Sequence, residues 1–223
     1  MGETIRLKAK DGVTISAYQA LPGGRPKGGM VVCQEIFGVN HHIRNVADRY
    51  AAQGYAAIAP ALFDRVEPNV ELGYSAQDVP AGAGIRARTR LEDTLADIEA
   101  AVAALAGSGP IGVVGYCWGG TLAYASACRV GGIGAAVGYY GGGIAGMLSE
   151  KPRVPVMLHF GEKDQHISMD DVNKIRRAYP SMPVFVYDAD HGFNCDERGS
   201  YDEAAAKLAW QRSMAFLAKN LKK

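Results

Sequence analysis

Residues 111–120 read IGVVGYCWGG: a short apolar run of strand character, a Gly-x-Cys-x-Gly-Gly bend, and the start of a stretch of small residues that continues to Arg129. A strand that turns at once into a helix needs small residues around the one that projects, because the two backbones nearly touch at the bend. Gly115, Gly119 and Gly120 meet that need, and Cys117 is the side chain such an elbow lifts above a sheet. At a helix N-terminus the unpaired N–H groups and the dipole favour a thiolate, and the same N–H groups can hold an oxyanion. A tight packing corner around a buried free cysteine has the same outline. Either way, Ile111–Val114 reads as a strand and Trp118–Arg129 as a helix lying close against a sheet.

Working outward, strands and helices alternate on both sides. Upstream, TIRLKA and TISAYQA flank Asp11-Gly12 and form a hairpin whose turn tolerates positive φ. A third strand spans Gly28 to Cys33. An amphipathic helix over Asn45–Gln53 stops at Gly54 before the strand YAAIAP. The polar, Gly/Pro-containing stretch from Phe63 to Gly84 gives no assignable element. From Arg90 to Ala106, Leu91, Leu95, Ile98, Val102 and Leu105 recur at helical spacing and define one apolar face. Downstream, strands are expected at Ala135–Tyr140, Val154–Phe160 and Val184–Tyr187, with helices over Met169–Tyr179 and Ala204–Leu217. Near-continuous apolar strands separated by helices describe a three-layer α/β fold with a mostly parallel sheet, helices on both faces and antiparallel strands at the N-terminal edge.

The 223 residues suit a single domain over 1–223, and no repeat or interdomain linker interrupts them. Twenty-four basic and 23 acidic residues nearly cancel, and no Lys/Arg run forms a phosphate-tracking stripe, so nucleic acid is not an expected partner. No apolar stretch has the length of a signal peptide or a membrane span, which sets the expectation of a cytoplasmic protein with no membrane partner. Cys33, Cys117, Cys128 and Cys195 form no CxxC or other zinc spacing, and reduced thiols are expected. Cys33 and Cys128 read as core residues, Cys195 as a bystander near the pocket. No histidine joins carboxylates or thiols at ligand spacing, so neither metal nor cofactor is expected. His41 and His42 fall on a solvated loop or helix start.

Cys117 has candidate partners downstream, each just after a later strand. Asp164 lies in GEKDQH after VMLHF, and His191 in DADHGFN after VFVY. In the order nucleophile, acid, histidine, the imidazole can take the thiol proton while the carboxylate fixes its tautomer and stabilises its cation. Asp188 and Asp190 compete for the acid role from the histidine's own loop.

QEIFGVN at 34–40, GYCWGG at 115–120, VGYYGG at 137–142, GEKD at 161–164 and HGF at 191–193 together give a chain that resembles the dienelactone hydrolases (carboxymethylenebutenolidases). These are a cysteine branch of the α/β-hydrolase fold. The resemblance spans nearly the whole chain and implies opening of a small enol-lactone to an open-chain acid on Cys117, His191 and Asp164, without a cofactor. It implies that Glu35 touches the resting thiol and keeps it protonated until substrate shifts it, and that backbone N–H groups of Ile36 and Trp118 form the oxyanion hole. It also implies substrate contacts from Tyr140 and an arginine before the long helix, with Arg86 chosen over Arg88 and Arg90. A further arginine expected four residues after the histidine is replaced by Cys195, and Arg198 stands in for it. That departure leaves open a broader small-ester carboxylesterase or lactonase, and a non-catalytic ligand-binding protein is the alternative from another class.

Overall fold

The computed structural model describes residues 2–222. β1 (Glu3–Lys8) and β2 (Thr14–Ala20) pair antiparallel as the expected hairpin, with Gly12 at φ 89° in the turn. β3 (Gly28–Cys33), β4 (Tyr55–Pro60), β5 (Ile111–Tyr116), β6 (Ile133–Tyr139), β7 (Val156–Gly161) and β8 (Val184–Tyr187) complete one sheet in the order β1-β2-β4-β3-β5-β6-β7-β8. Every neighbouring pair from β4 to β8 is parallel, and β2 joins β4 antiparallel, so the antiparallel strands sit at one edge. β3, β4 and β5 are buried at every position, which is why they read as unbroken apolar runs.

The helices are α1 (His41–Ala52), α2 (Asp78–Arg86), α3 (Leu91–Ala104), α4 (Trp118–Arg129), α5 (Met169–Ala178) and α6 (Glu203–Asn220). The chain moves one way along the sheet through α1 and the other way through α3, α4 and α5. Right-handed crossovers therefore put α1 on one face and those three on the other. α3 packs beside α4, while Tyr50 of α1 meets Trp210 of α6 at 4.8 Å between ring centres, so α6 shares the face of α1.

Two elements depart from expectation. α1 begins at His41, four residues early, because the Asn40 side chain accepts the Ile43 N–H at 3.2 Å and caps the helix there. α2 lies inside the unassigned stretch. Ser75 and Asp78 bond reciprocally, Ser75 N–H to Asp78 Oδ2 at 2.9 Å and Asp78 N–H to Ser75 Oγ at 3.3 Å, a capping box at its start. Among the described residues no helix is long and apolar enough to cross a membrane.

Candidate active site

Four side chains reach one end of the sheet from loops that follow β3, β5, β7 and β8. Cys117 directly follows β5 with φ 55° and ψ −117°, a strained conformation for a residue other than glycine. The elbow is held by Cys117 N–H donating to the Tyr139 carbonyl at 3.0 Å and by Gly120 N–H donating back to the Cys117 carbonyl at 2.9 Å. A Cβ at Gly115 would collide with the Gly119 carbonyl, and one at Gly119 with the carbonyls of Cys33 and Gln34, so only glycine fits at either position.

Asp164 and His191 come to the thiol from the next loops. Asp164 Oδ1 accepts the N–H groups of His166 (2.8 Å) and Ile167 (3.1 Å), which leaves Oδ2 to face His191 Nδ1 at 2.7 Å. With Nδ1–H donating to that carboxylate, Nε2 faces Cys117 Sγ at 3.1 Å. Burial opposes the imidazolium, but the hydrogen bonds and charges of Asp164 and Cys117 outweigh it and raise His191 from 6.5 to about 10. The imidazole therefore lies within hydrogen-bond reach of both the carboxylate and the thiol. The competing acids are engaged elsewhere: Asp188 pairs with Lys163 at 2.7 Å, and Asp190 accepts the N–H of His191 itself at 2.6 Å.

The residues beside the thiol match a known set. A model of the dienelactone hydrolase family matches residues 15–221. The chain belongs to the dienelactone hydrolase family. It is 36% identical to a Synechocystis protein that carries the provisional name carboxymethylenebutenolidase, over 86% of each chain. It is 32% identical to the carboxymethylenebutenolidase of Pseudomonas putida, over 97% of this chain and 96% of that one. A crystal structure of a Klebsiella pneumoniae protein, provisionally named a dienelactone hydrolase, superposes with a TM-score of 0.86 at 30% identity and covers 98% of this chain and 99% of its own. Membership of this family makes the chain a carboxylic-ester hydrolase with a small-molecule substrate.

The dienelactone hydrolase motifs do not all reach the cavity over Cys117. That cavity, about 320 Å³, is lined mostly by apolar groups, among them Phe37, Val79, Ala83, Trp118 and Ile167, with His166 and Arg198 as polar groups beside His191. Ile36 and Trp118 line it next to the thiol, and among the described residues neither N–H donates a hydrogen bond. Both remain available to an oxyanion. A larger cavity of about 420 Å³ lies at the opposite ends of β7 and β8, away from the thiol.

Glu35 is fully buried and makes no hydrogen bond to Cys117 among the described residues. It accepts instead from Arg198 Nη1 at 3.1 Å and Tyr74 Oη at 3.2 Å. Arg198 thus reaches the cavity wall with its charge already matched. Arg86 is exposed in the last turn of α2 and does not line the cavity, because α2 turns Val79 and Ala83 to it. Tyr140, at φ 38°, is fully buried behind the histidine, its ring centre 5.0 Å from that of His191, and does not line the cavity either.

The sequence alone does not single out His166, which stands on the cavity wall 5.2 Å from His191 between ring centres. Val79 and Ala83 were reachable through the Ser-x-x-Asp capping box at 75–78. His42, expected on a solvated loop or helix start, is buried in the first turn of α1, where the Asn40 cap draws the helix start under Tyr74 and Tyr116. His159, in contrast, is a satisfied core residue. Its two nitrogens meet Tyr187 Oη and Ser213 Oγ at 2.8 and 2.9 Å, and burial lowers it to about 3. Cys33 and Cys128 are buried, as is Cys195, which lies with Glu35 and His42 behind the triad.

Proposed function

We propose that this dienelactone hydrolase family member cleaves small lactones or esters through a thioester on Cys117. The observation that carries this is the unbroken contact chain from Cys117 Sγ through His191 to Asp164, at 3.1 and 2.7 Å. The thiolate attacks the carbonyl carbon, and the tetrahedral oxyanion rests on the N–H groups of Ile36 and Trp118. Collapse forms the thioester and breaks the acyl C–O bond, with the imidazolium of His191 delivering its proton to the leaving oxygen. Neutral His191 then takes a proton from water as that water attacks the thioester, releasing the acid and restoring the thiolate–imidazolium pair. Glu35, whose carboxylate accepts from Arg198 and Tyr74, makes no hydrogen bond to the Cys117 thiol among the described residues.

The enol-lactone that gives the family its name is the first substrate of this reading. A broader activity on uncharged small esters is favoured by one observation: Arg198, the fixed cation among the cavity-lining residues, is already paired with Glu35. Comparing kcat/KM for dienelactone with that for uncharged lactones and p-nitrophenyl acetate separates the two. A strong preference for the anionic lactone would exclude the broad reading. The triad proposal expects Cys117→Ala to abolish turnover and Asp164→Asn to lower kcat by about 10⁴-fold. Full activity in Cys117→Ala would overturn it.

A further inference from the structure

Behind the catalytic thiol, Glu35, His42 and Cys195 come from three separate segments and are all buried, at 0%, 1% and 0% exposure. A carboxylate oxygen of Glu35, a ring nitrogen of His42 and Cys195 Sγ lie within 4.8 Å of one another. Nδ1 of His42 is 3.2 Å from Asp196 Oδ1 on the protein surface, which assigns its proton to that side. Nε2 is then left with a bare lone pair, and it is buried with no hydrogen-bond partner among the described residues. An unmatched buried acceptor is costly, and a carboxylate behind a histidine is the arrangement that orients metal-binding imidazoles.

We propose that Glu35, His42 and Cys195 bind a divalent transition-metal ion of the zinc type. One thiolate, one imidazole and one carboxylate are donors such an ion accepts together, whereas calcium or magnesium would require an all-oxygen shell. Around a tetrahedral ion, donors sit roughly 3.5 Å apart, given metal–ligand bonds of about 2.0–2.3 Å. Closing from within 4.8 Å to that spacing takes movements of at most about 1.3 Å between donors. Glu35 Oε1 keeps its bond to Arg198 Nη1, so Oε2, which accepts from Tyr74 Oη, is the oxygen offered to the ion, and the fourth position falls to water or to the Tyr74 hydroxyl.

Binding replaces the Cys195 S–H proton, which leaves to solvent, because the thiolate is the metal-ligating form. Asp196 and Glu197, exposed or nearly so beside His42, mark the side from which the ion enters.

The site is tested by titrating chelator-stripped full-length protein with Co²⁺. One equivalent should bring up a thiolate-to-cobalt charge-transfer band and tetrahedral visible bands, both displaced by Zn²⁺. The signal should persist in Cys117→Ser, which silences the other soft donor near the cavity, and vanish in Cys195→Ser. Asp196→Asn, at an exposed position, should weaken Co²⁺ binding roughly 10-fold or more. No thiolate band in the parent protein would overturn the site, as would a band that is lost in Cys117→Ser and kept in Cys195→Ser. Should Cys195→Ser fail to fold, Asp196→Asn decides alone, and unchanged affinity in it overturns the proposal. The readout is spectroscopic, so it stands apart from whether any ester is turned over.

Discussion

Cys117 occupies a backbone conformation worth about 1–3 kcal/mol of strain, and the surrounding glycines and the Tyr139 carbonyl hold it there. The contacts that link it to His191 and Asp164 could be anticipated from sequence because each of these residues follows a strand, and a strand's end is easy to recognise. Arg86 and Tyr140 were harder, since whether a side chain meets the cavity depends on which way a helix or turn faces. The contact between Arg198 and Glu35 joins residues 163 positions apart and left no local trace. That pair carries a residue-scale prediction. Glu35 is fully buried, so Arg198→Ala strands its charge and should destabilise by about 3–5 kcal/mol in urea unfolding. Adding Glu35→Gln should recover much of that loss, and a double variant as unstable as Arg198→Ala would show that packing rather than charge was lost.

At the scale of elements, the alternation of apolar strands with amphipathic helices was plain wherever it lacked interruption. α2 escaped because Pro80, Gly82 and Gly84 fall within nine residues, which hides any helical periodicity. Proline is tolerated in the first turn, and Gly82 is required because a Cβ there would collide with the Ile36 carbonyl. α4 is pressed against the sheet in the same way through Gly119. Gly119→Ala forces a methyl onto two backbone carbonyls that cannot swing aside, so α4 and the thiol at its start must shift. Stability should fall by about 1–3 kcal/mol, and a displacement of about 1 Å at Cys117 should lower kcat on the order of 100-fold. Parent-like kcat in Gly119→Ala would show that the elbow tolerates the shift.

For the whole molecule, the raised His191 links folding to pH with a definite sign. The folded protein holds the His191 proton up to about 10 while the unfolded chain releases it near 6.5. The contribution is therefore complete below 6.5 and is lost as pH rises through 10, because in that interval the folded state binds more protons than the unfolded one. Buried Cys195 and Cys128, raised to about 12 and about 11, add a fall of the same sign at alkaline pH. The decisive quantity is thus the difference between the parent and His191→Asn. Between pH 7 and 10 the parent should lose thermal stability more steeply than the variant, and parallel curves would remove the linkage.

The groups of the proposed triad also straddle the sheet from its centre to its margin. Cys117 rides on β5, flanked by strands on both sides, whereas His191 follows β8, a four-residue, half-buried strand at the edge. Edge elements open at lower free energy than a buried centre. Enzymatic competence should therefore be the first property lost in denaturant. Activity should fade at urea concentrations where circular dichroism still reports a folded sheet, and the remaining thiol, parted from its imidazole, should react more slowly with alkylating reagents at neutral pH.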